Sequence, residues 1–570
     1  MKNFRFCPKL FSTVKNYSRR QFLDDLMSGI IVGIVALPLA IAFAIASGVS
    51  PEKGIITAIV AGFIVSALGG SKVQIGGPTG AFIVIVFGVV QTYGLGGLMT
   101  ATMLAGALLV LLGVFRLGTV IKFIPYPVVV GFTSGIALTI FATQIPDVFG
   151  LDFGGESVPG DFIGKWALYF RHFDTVNWWS LCISAISVAL IILTPRIFRK
   201  IPGSLVAILL VTTGVWALEK YAGIDCVETI GDRFTISSRL PALTMPELSW
   251  EAIRNLFPIA ITIAVLAAIE SLLSATVADG MIGDKHDSNT ELVALGIANF
   301  VTPVFGGIPA TGAIARTMTN INNGGKTPVA GMVHAVVLLL ILLFLMPLAK
   351  YIPMACLGGV LVVVSYNMSG WRTFKGLLRN SKSDVAVLLL TFFLTVLFDL
   401  TIAIGVGLLI ACLLFMERVM ETTEISVITD ELRPSGESDF YNKDDEALVV
   451  PEGVEIYEIN GPYFFGVATK FEDMMSRFRN RTKVRIIRMR KVPFIDSTGI
   501  HNLTNLCEMS RKKRMTIVLS GVNEKVRSAL ARSGFNETLG EENICSDIHA
   551  ALARARRIIA MDASGCPMAR

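Results

Sequence analysis

Residues 36–48 read ALPLAIAFAIASG and are followed by PTGAF at 78–82; residues 268–280 read AIESLLSATVADG and are followed by PATGAI at 309–314. Gly48 maps onto Gly280 by a shift of 232 positions, and Thr79-Gly80-Ala81 maps onto Thr311-Gly312-Ala313 by the same shift. A Gly-Gly pair precedes each TGA, Gly69-Gly70 in one case and Gly306-Gly307 in the other. One short match is chance. Two at a single offset predict duplicated halves, the plan on which many secondary transporters are built, with the substrate at the interface of the repeats.

The surrounding sequence fits a membrane setting. The chain has 570 residues, 53% hydrophobic and only 16% charged, with a mean hydropathy of +0.64. Soluble domains carry nearer a quarter charged residues. No Asp, Glu, Lys or Arg occurs from Val73 to Phe115, from Phe123 to Pro146 or from Thr327 to Ala349. Apolar stretches long enough for full or partial spans fall near residues 24–46, 54–69, 78–91, 97–115, 125–145, 177–194, 202–220, 253–277, 290–304, 310–321, 327–346, 353–367, 384–398 and 400–417. Those near 78–91, 290–304 and 310–321 are too short to cross alone. Basic residues cluster before the first span and then in every second connection, which by the positive-inside rule puts both termini in the cytoplasm. An even number of spans agrees with that. The repeat offset covers seven segments, an odd number, so the halves are inverted. The first apolar stretch, followed by many more, reads as a span rather than a cleaved signal. The fold predicted is therefore an α-helical polytopic protein of the inner membrane: a cytoplasmic segment to residue 22, a transport domain over 23–418, and a soluble α/β domain over 425–560. Eight scattered cysteines show no metal or disulfide spacing. The net charge of +6 is explained by orientation, with no nucleic-acid partner required.

The TGA segments carry the predicted chemistry. Each is a Gly/Pro-interrupted stretch entering a short helix, whose first turn has unsatisfied N–H groups and a positive dipole end. Two such starts facing each other form an anion site with few charged side chains. Gly80 and Gly312 permit close backbone approach, and Thr79 and Thr311 offer hydroxyls as donors or caps. The alternative is that these glycines serve only tight packing. Arg316 is the one charged residue between Glu291 and Lys326; it adds positive potential behind the anion, or else reaches to the interface. Glu270 stands alone among apolar residues from Asn255 to Ala278. A carboxyl group there calls for a proton, for sodium held with Ser274, or for a structural pair with Arg316. Asp399 reads as an interfacial cap and His334 as a packed side chain. No GxxxxGK[ST] loop is present, which argues against an ATP-driven pump, and nothing points to an enzyme.

At these residues the chain resembles the SulP anion transporters, bacterial relatives of animal sulfate/anion exchangers, most specifically over 270–331 (ESLLSATVADG…NNGGKTPVAG). The resemblance implies a 7+7 inverted repeat divided into a core (segments 1–4 and 8–11) and a gate (5–7 and 12–14), an elevator-like motion and a homodimer. It places the anion on Thr79, Gly80, Ala81 and Phe82 and on Ala310, Thr311, Gly312, Ala313 and Ile314. Arg316 takes the family's basic position, and Glu270 its coupling carboxylate. Eukaryotic-type sulfate permeases often have Pro-Gln in the first span, where this chain has Pro38-Leu39, so the resemblance is closer to bacterial members linked to bicarbonate or dicarboxylate. Where the sodium-coupled type has Asp and Thr, this chain has Glu270 and Ser274, which favours protons over sodium.

Beyond Ile425 short β-rich runs alternate with amphipathic helices, predicting an α/β sandwich. Strands are expected at Val454–Ile459, Val484–Met489 and Thr516–Leu519, and helices at Ser497–Lys513 and Glu524–Ser533. Residues 434–446 read as a flexible insertion or linker. Ile495-Asp496-Ser497-Thr498-Gly499 resembles the loop of STAS domains, in which Thr498 is the phosphate-acceptor position beside Ser497; the alternative is that Asp496 and Ser497 simply cap the next helix. A cytoplasmic protein partner belongs with the first reading. For the whole chain, the expected function is a secondary active transporter of small anions (bicarbonate, dicarboxylate or sulfate). The rivals are an uncoupled exchanger or channel of the same fold, and an anion receptor signalling through the C-terminal domain.

Overall fold

A computed structural model describes residues 6–563 apart from 16, 119–124, 157, 198–201, 224–226, 235–242, 247–248, 399, 429–430, 433–447 and 468–481. The expected insertion at 434–446 and the cap at Asp399 lie outside the described residues. The chain divides into two compact units, residues 1–411 and 412–570.

The first unit is helical. Its principal helices are α1 (Arg19–Ala46), α2 (Pro51–Leu68), α3 and α4 (two parts of Ile83–Val114), α5 (Tyr126–Phe149), α6 (Trp178–Ile197), α7 (Gly203–Ala217), α8 (Trp250–Ile282), α9 (Ser288–Val301), α10 (Ile314–Asn322), α11 (Pro328–Phe344), α12 (Met354–Met368), α13 (Lys382–Leu397) and the first half of α14 (Leu400–Thr422). Each predicted segment has its helix. The spans expected at 78–91 and 97–115 are one helical run whose axis breaks at Gly94, the residue with φ 67° and ψ −172°. Among the described residues, eight helices are long and apolar enough to cross a bilayer; α9, α10 and α11 fall short of that length.

Packing sorts the helices into two groups. Helix α4 lies against α8 and α9, and α11 lies against α1 and α2; separately, α5 lies against α12 and α13, and α6 against α7 and α12. These are the core and gate sets that the sequence resemblance implied. Within the gate group a short amphipathic helix, Phe162–Arg171, connects α5 to α6, and its Leu168 and Tyr169 bury themselves against Ile145 of α5.

The halves meet in a two-residue antiparallel ladder, β1 (Gly76–Gly77) with β2 (Thr311–Gly312), in the register Gly76↔Gly312 and Gly77↔Thr311. An antiparallel pair is what two segments of opposite membrane sense must make. Its local two-fold takes Gly76 to Thr311 and Gly77 to Gly312, a shift of 235 (311 − 76), so the shift of 232 read from the TGA triplets is three residues out. The reason is local: in the second half the TGA supplies the strand, whereas in the first half the strand is Gly76–Gly77 and the TGA follows it. Gly48 and Gly280 are likewise not equivalent. Gly48 lies past the end of α1 with φ +75°, while Gly280 sits inside α8, which is ended by Gly283 at φ +67°.

The second unit has a five-stranded sheet in the order β3 (Glu424–Ile428), β4 (Val454–Asn460), β5 (Val484–Lys491), β6 (Thr516–Ser520), β7 (Ile544–Cys545), with β3 antiparallel and the rest parallel. Helices α15 (Ser497–Lys512) and α16 (Glu524–Arg532) cover one face and α17 (Ile548–Ala563) the other. Central strand β5 is buried on both faces over most of its length, so its two buried arginines need partners: Arg485 pairs with Glu455 at 3.4 Å and Arg488 with Glu458 at 3.5 Å, both across to β4. Strand β7 and helix α17 had no counterpart in the sequence reading.

Candidate functional site

The ladder sets the site. From β1 the chain turns through Pro78 and Thr79 into a single 3₁₀ turn, Gly80–Phe82, and on into α3; from β2 it passes Ala313 into α10. Both helix starts therefore lie beside one ladder; the Phe82 amide is taken by the Thr79 carbonyl at 3.3 Å and the Ala313 amide by the Ile75 carbonyl at 2.9 Å, while helical geometry leaves other first-turn amides without an intrahelical acceptor. Gly80, Ala81, Phe82, Ala310, Thr311, Gly312, Ala313 and Arg316 are buried and Ile314 half-buried. The predicted anion-site residues are thus brought together. On the gate side Ile140 of α5 and Met368 of α12 close on Gly80, with Phe43 of α1 beside them.

The two threonines do not act as caps. Neither half-helix has a side-chain cap bond. The Thr79 hydroxyl donates to Oε2 of Glu270 at 2.9 Å, and the Thr311 hydroxyl donates to the Ala267 carbonyl at 2.9 Å. Both hydroxyls are buried and find their acceptors on α8. Arg316, only 2% exposed, donates through Nη2 to the Pro78 carbonyl, while its Nη1 has no hydrogen-bond partner. Among the described residues it does not form an ion pair with Glu270; the two groups bind neighbouring residues, Pro78 and Thr79. Gly77 is required here, since at φ +151° a Cβ would fall 2.1 Å from Nη1 of Arg316. Ser274, one turn from Glu270 on α8, directs its hydroxyl to Thr317 of α10 at 3.4 Å. The packed reading of His334 agrees with its complete burial against Gly62.

Several residues holding this pocket escaped sequence reading. Asn299 clamps Ala310 from both sides, accepting from its N–H at 2.9 Å and donating to its carbonyl at 2.8 Å. Gln74 donates to the Ser271 hydroxyl at 2.7 Å and to its carbonyl at 3.1 Å. Glu291, wholly buried, accepts from the Gly70 and Ser71 amides at 2.8 and 3.2 Å through one oxygen, and from the Ser271 hydroxyl at 3.4 Å through the other. Thr317 accepts from the Ile75 amide at 3.1 Å, and Asn320 donates to the Val73 carbonyl at 2.8 Å. A lone amide or acid in an otherwise apolar half-helix was the available signal.

In the second unit Asp496 is the cap of α15, accepting from the Gly499 amide at 2.7 Å and from the Phe465 amide at 3.2 Å. Ser497 and Thr498 occupy the first helical turn and are both exposed.

Comparison with known proteins places this geometry. A model of the sulfate permease family matches residues 22–391, and a STAS-domain model matches 447–551. The chain is 40% identical over 531 residues to YvdB of Bacillus subtilis, a candidate sulfate transporter, covering 93% of this chain and 97% of that one. It is 28% identical over 528 residues to the bicarbonate transporter BicA of a Picosynechococcus strain, covering 90% and 91%. Among solved structures, the murine anion transporter Slc26a9 superposes with a TM-score of 0.85 at 20% identity, covering 98% of this chain and 96% of that one. The transmembrane domain of a cyanobacterial BicA superposes with a TM-score of 0.60 at 28% identity, covering 70% and 98%.

Proposed function

The chain belongs to the sulfate permease family of anion transporters, and from that premise we propose that it is a secondary active, proton-coupled carrier of a small oxyanion such as bicarbonate, sulfate or a dicarboxylate. The observation that carries the reading is the β1–β2 ladder, which aims two helix starts at one space with Arg316 behind it. Backbone amides and a guanidinium suit an oxyanion, and they cost no reorganisation on binding. The helices that bear the pocket form one packed group and those facing it another, which supports an elevator-like displacement of core against gate. The protein works as a homodimer embedded in inner-membrane lipid, with both termini in the cytoplasm.

Coupling runs through Glu270. Among the described residues its carboxyl forms no salt bridge, although the Arg316 charge acts on it, and its hydrogen-bond partner is Thr79, the residue just before the first half-site. A proton gained or lost there alters the hydrogen bond that positions the anion turn. Ser274 looks to Thr317 instead of joining Glu270, which favours a proton over sodium as the coupling ion. The test is uptake of labelled bicarbonate, sulfate and succinate into proteoliposomes, each with and without imposed proton and sodium gradients. Accumulation driven by a proton gradient is the expected result; ligand binding with no flux would replace transport by a receptor function. Glu270→Gln is expected to abolish the response of uptake to an imposed pH gradient, and an unchanged response would refute proton coupling.

The exposed Ser497 and Thr498 are the regulatory positions of the STAS domain, open to phosphorylation and to a cytoplasmic partner. Thr498→Glu adds a lasting negative charge at a helix N-terminus, where it is tolerated. It is expected to change the uptake rate in intact cells by about twofold or more while leaving the rate in proteoliposomes unaltered. Equal rates for mutant and parent in cells would remove this role.

A further inference from the structure

In the first unit one described cation besides Arg316 is buried, and it takes no part in the pocket. Lys165 lies on the connecting helix Phe162–Arg171, between α5 and α6, and is 3% exposed. Among the described residues no carboxylate forms an ion pair with it. The acid whose charge acts on it, Asp161, is committed to capping the same helix through the Gly164 amide at 2.6 Å. The Lys165 ammonium instead sits 5.1 Å from the centre of the Phe87 ring. That ring belongs to α3, the helix that begins at the anion turn, about one helical turn beyond Ile83.

The two partners belong to different groups of helices. The connecting helix is fixed to the gate: Leu168 and Tyr169 pack with Ile145 of α5, and Tyr169 stacks on Phe153 with ring centres 5.9 Å apart. Phe87 is fixed to the core, because the backbone at Gly48, past the end of α1, leaves only a hydrogen beside its ring. A Cβ on Gly48 would lie 3.3 Å from the ring edge, at a φ of +75°. A cation over a ring recovers less than burying an unpaired ammonium costs. The contact therefore persists only while gate and core are pressed together on this side. An anion is a better partner for the ammonium than the ring is.

We propose that Lys165 is a substrate-handling residue of the outer entrance. It rests on Phe87 when that entrance is closed and becomes the first cation an incoming oxyanion meets when core and gate part. The proposal rests on the transport reading and on the orientation given above, which put the connection between α5 and α6 on the outer side. It gives α3 a cationic step roughly 10 Å outward of the half-helix starts, about two turns of helix, so that attraction grows along the entry path.

The test uses the full chain in intact cells, with initial rates of labelled bicarbonate and labelled sulfate uptake over a range of external concentrations. Lys165→Gln is expected to raise KM for the external anion about fivefold or more with Vmax within twofold, and to weaken the dependence of KM on ionic strength. Lys165→Arg restores both. Phe87→Leu, which keeps bulk and removes the ring face, adds little in the Lys165→Gln background. An unchanged KM in Lys165→Gln, or a KM in Lys165→Met that matches the parent, overturns the proposal. Surface biotinylation of each variant normalises rates to protein in the membrane, and if Lys165→Gln fails to reach it, the uncharged isostere Lys165→Met carries the same prediction. A parent protein that moves neither anion refutes the transport reading itself; normal transport with indifferent Lys165 variants refutes only this inference.

Discussion

Arg316→Gln reduces anion uptake about a hundredfold without unfolding the membrane domain, as an expected result of two losses. The first is electrostatic: Arg316 supplies the positive charge of a pocket that otherwise contains amides and one carboxyl group. The second is structural, since its Nη2 satisfies the Pro78 carbonyl in the turn leading to Gly80. A buried carbonyl left without a donor costs about 1–3 kcal/mol. A hundredfold loss of rate corresponds to about 2.7 kcal/mol, which that loss and the missing positive charge supply together. Lysine is not a rescue, because it lacks the planar fork that reaches Pro78 with one nitrogen and leaves the other free. The measurement is initial uptake into proteoliposomes, normalised to reconstituted protein, beside a melting curve. Uptake within threefold of the parent would remove Arg316 from the site.

Glu291→Ala has the second largest expected effect, and it falls on stability as well as transport. The carboxylate holds the Gly70 and Ser71 amides, which begin the strap carrying Gln74, β1 and the turn at Pro78. Alanine leaves both amides buried and unpaired, a loss of about 3 kcal/mol or more. Apparent melting in detergent should fall by several degrees, with uptake reduced at least tenfold because β1 loses its support. Glu291→Gln separates geometry from charge. Both amides bond to the same oxygen, Oε2, and a glutamine carbonyl can stand in its place while the amide nitrogen faces Ser271. Near-parental behaviour is expected. A glutamine variant as damaged as the alanine one would mean that the negative charge itself is needed.

Much of this architecture was legible because a bilayer forces long apolar runs, and their spacing survives without knowledge of packing. Strand and helix positions in the second unit were likewise found within a residue or two, Val454–Asn460 and Ser497–Lys512 among them. The half-helix starts could be read because glycine, proline and threonine interrupt apolar sequence at two related places. What could not be read is where polar side chains turn once several elements compete for them. Thr79 and Thr311 look like caps in one dimension; in three, α8 claims both hydroxyls. Asn299 and Gln74 look like ordinary helix and loop residues until Ala310 and Ser271 lie against them. The three-residue error in the repeat has the same origin, since a triplet of identical letters was placed once after a strand and once within it. Lys165 was one charge among many in a mixed connection, and only the approach of Phe87 singles it out.

The ladder brings together halves that are alike in trace and unlike in polarity. By its register Arg316 stands where the first half has Ala81, yet its guanidinium crosses to the carbonyl of Pro78, and Glu270 likewise reaches Thr79. Both ionic groups originate in one repeat and act on the turn of the other. Two copies of the opening repeat could close the same pair of strands around a hollow of the same outline, yet that hollow would be electrically blank. Duplication by itself therefore furnishes the cradle, and only divergence between the copies furnishes the charge.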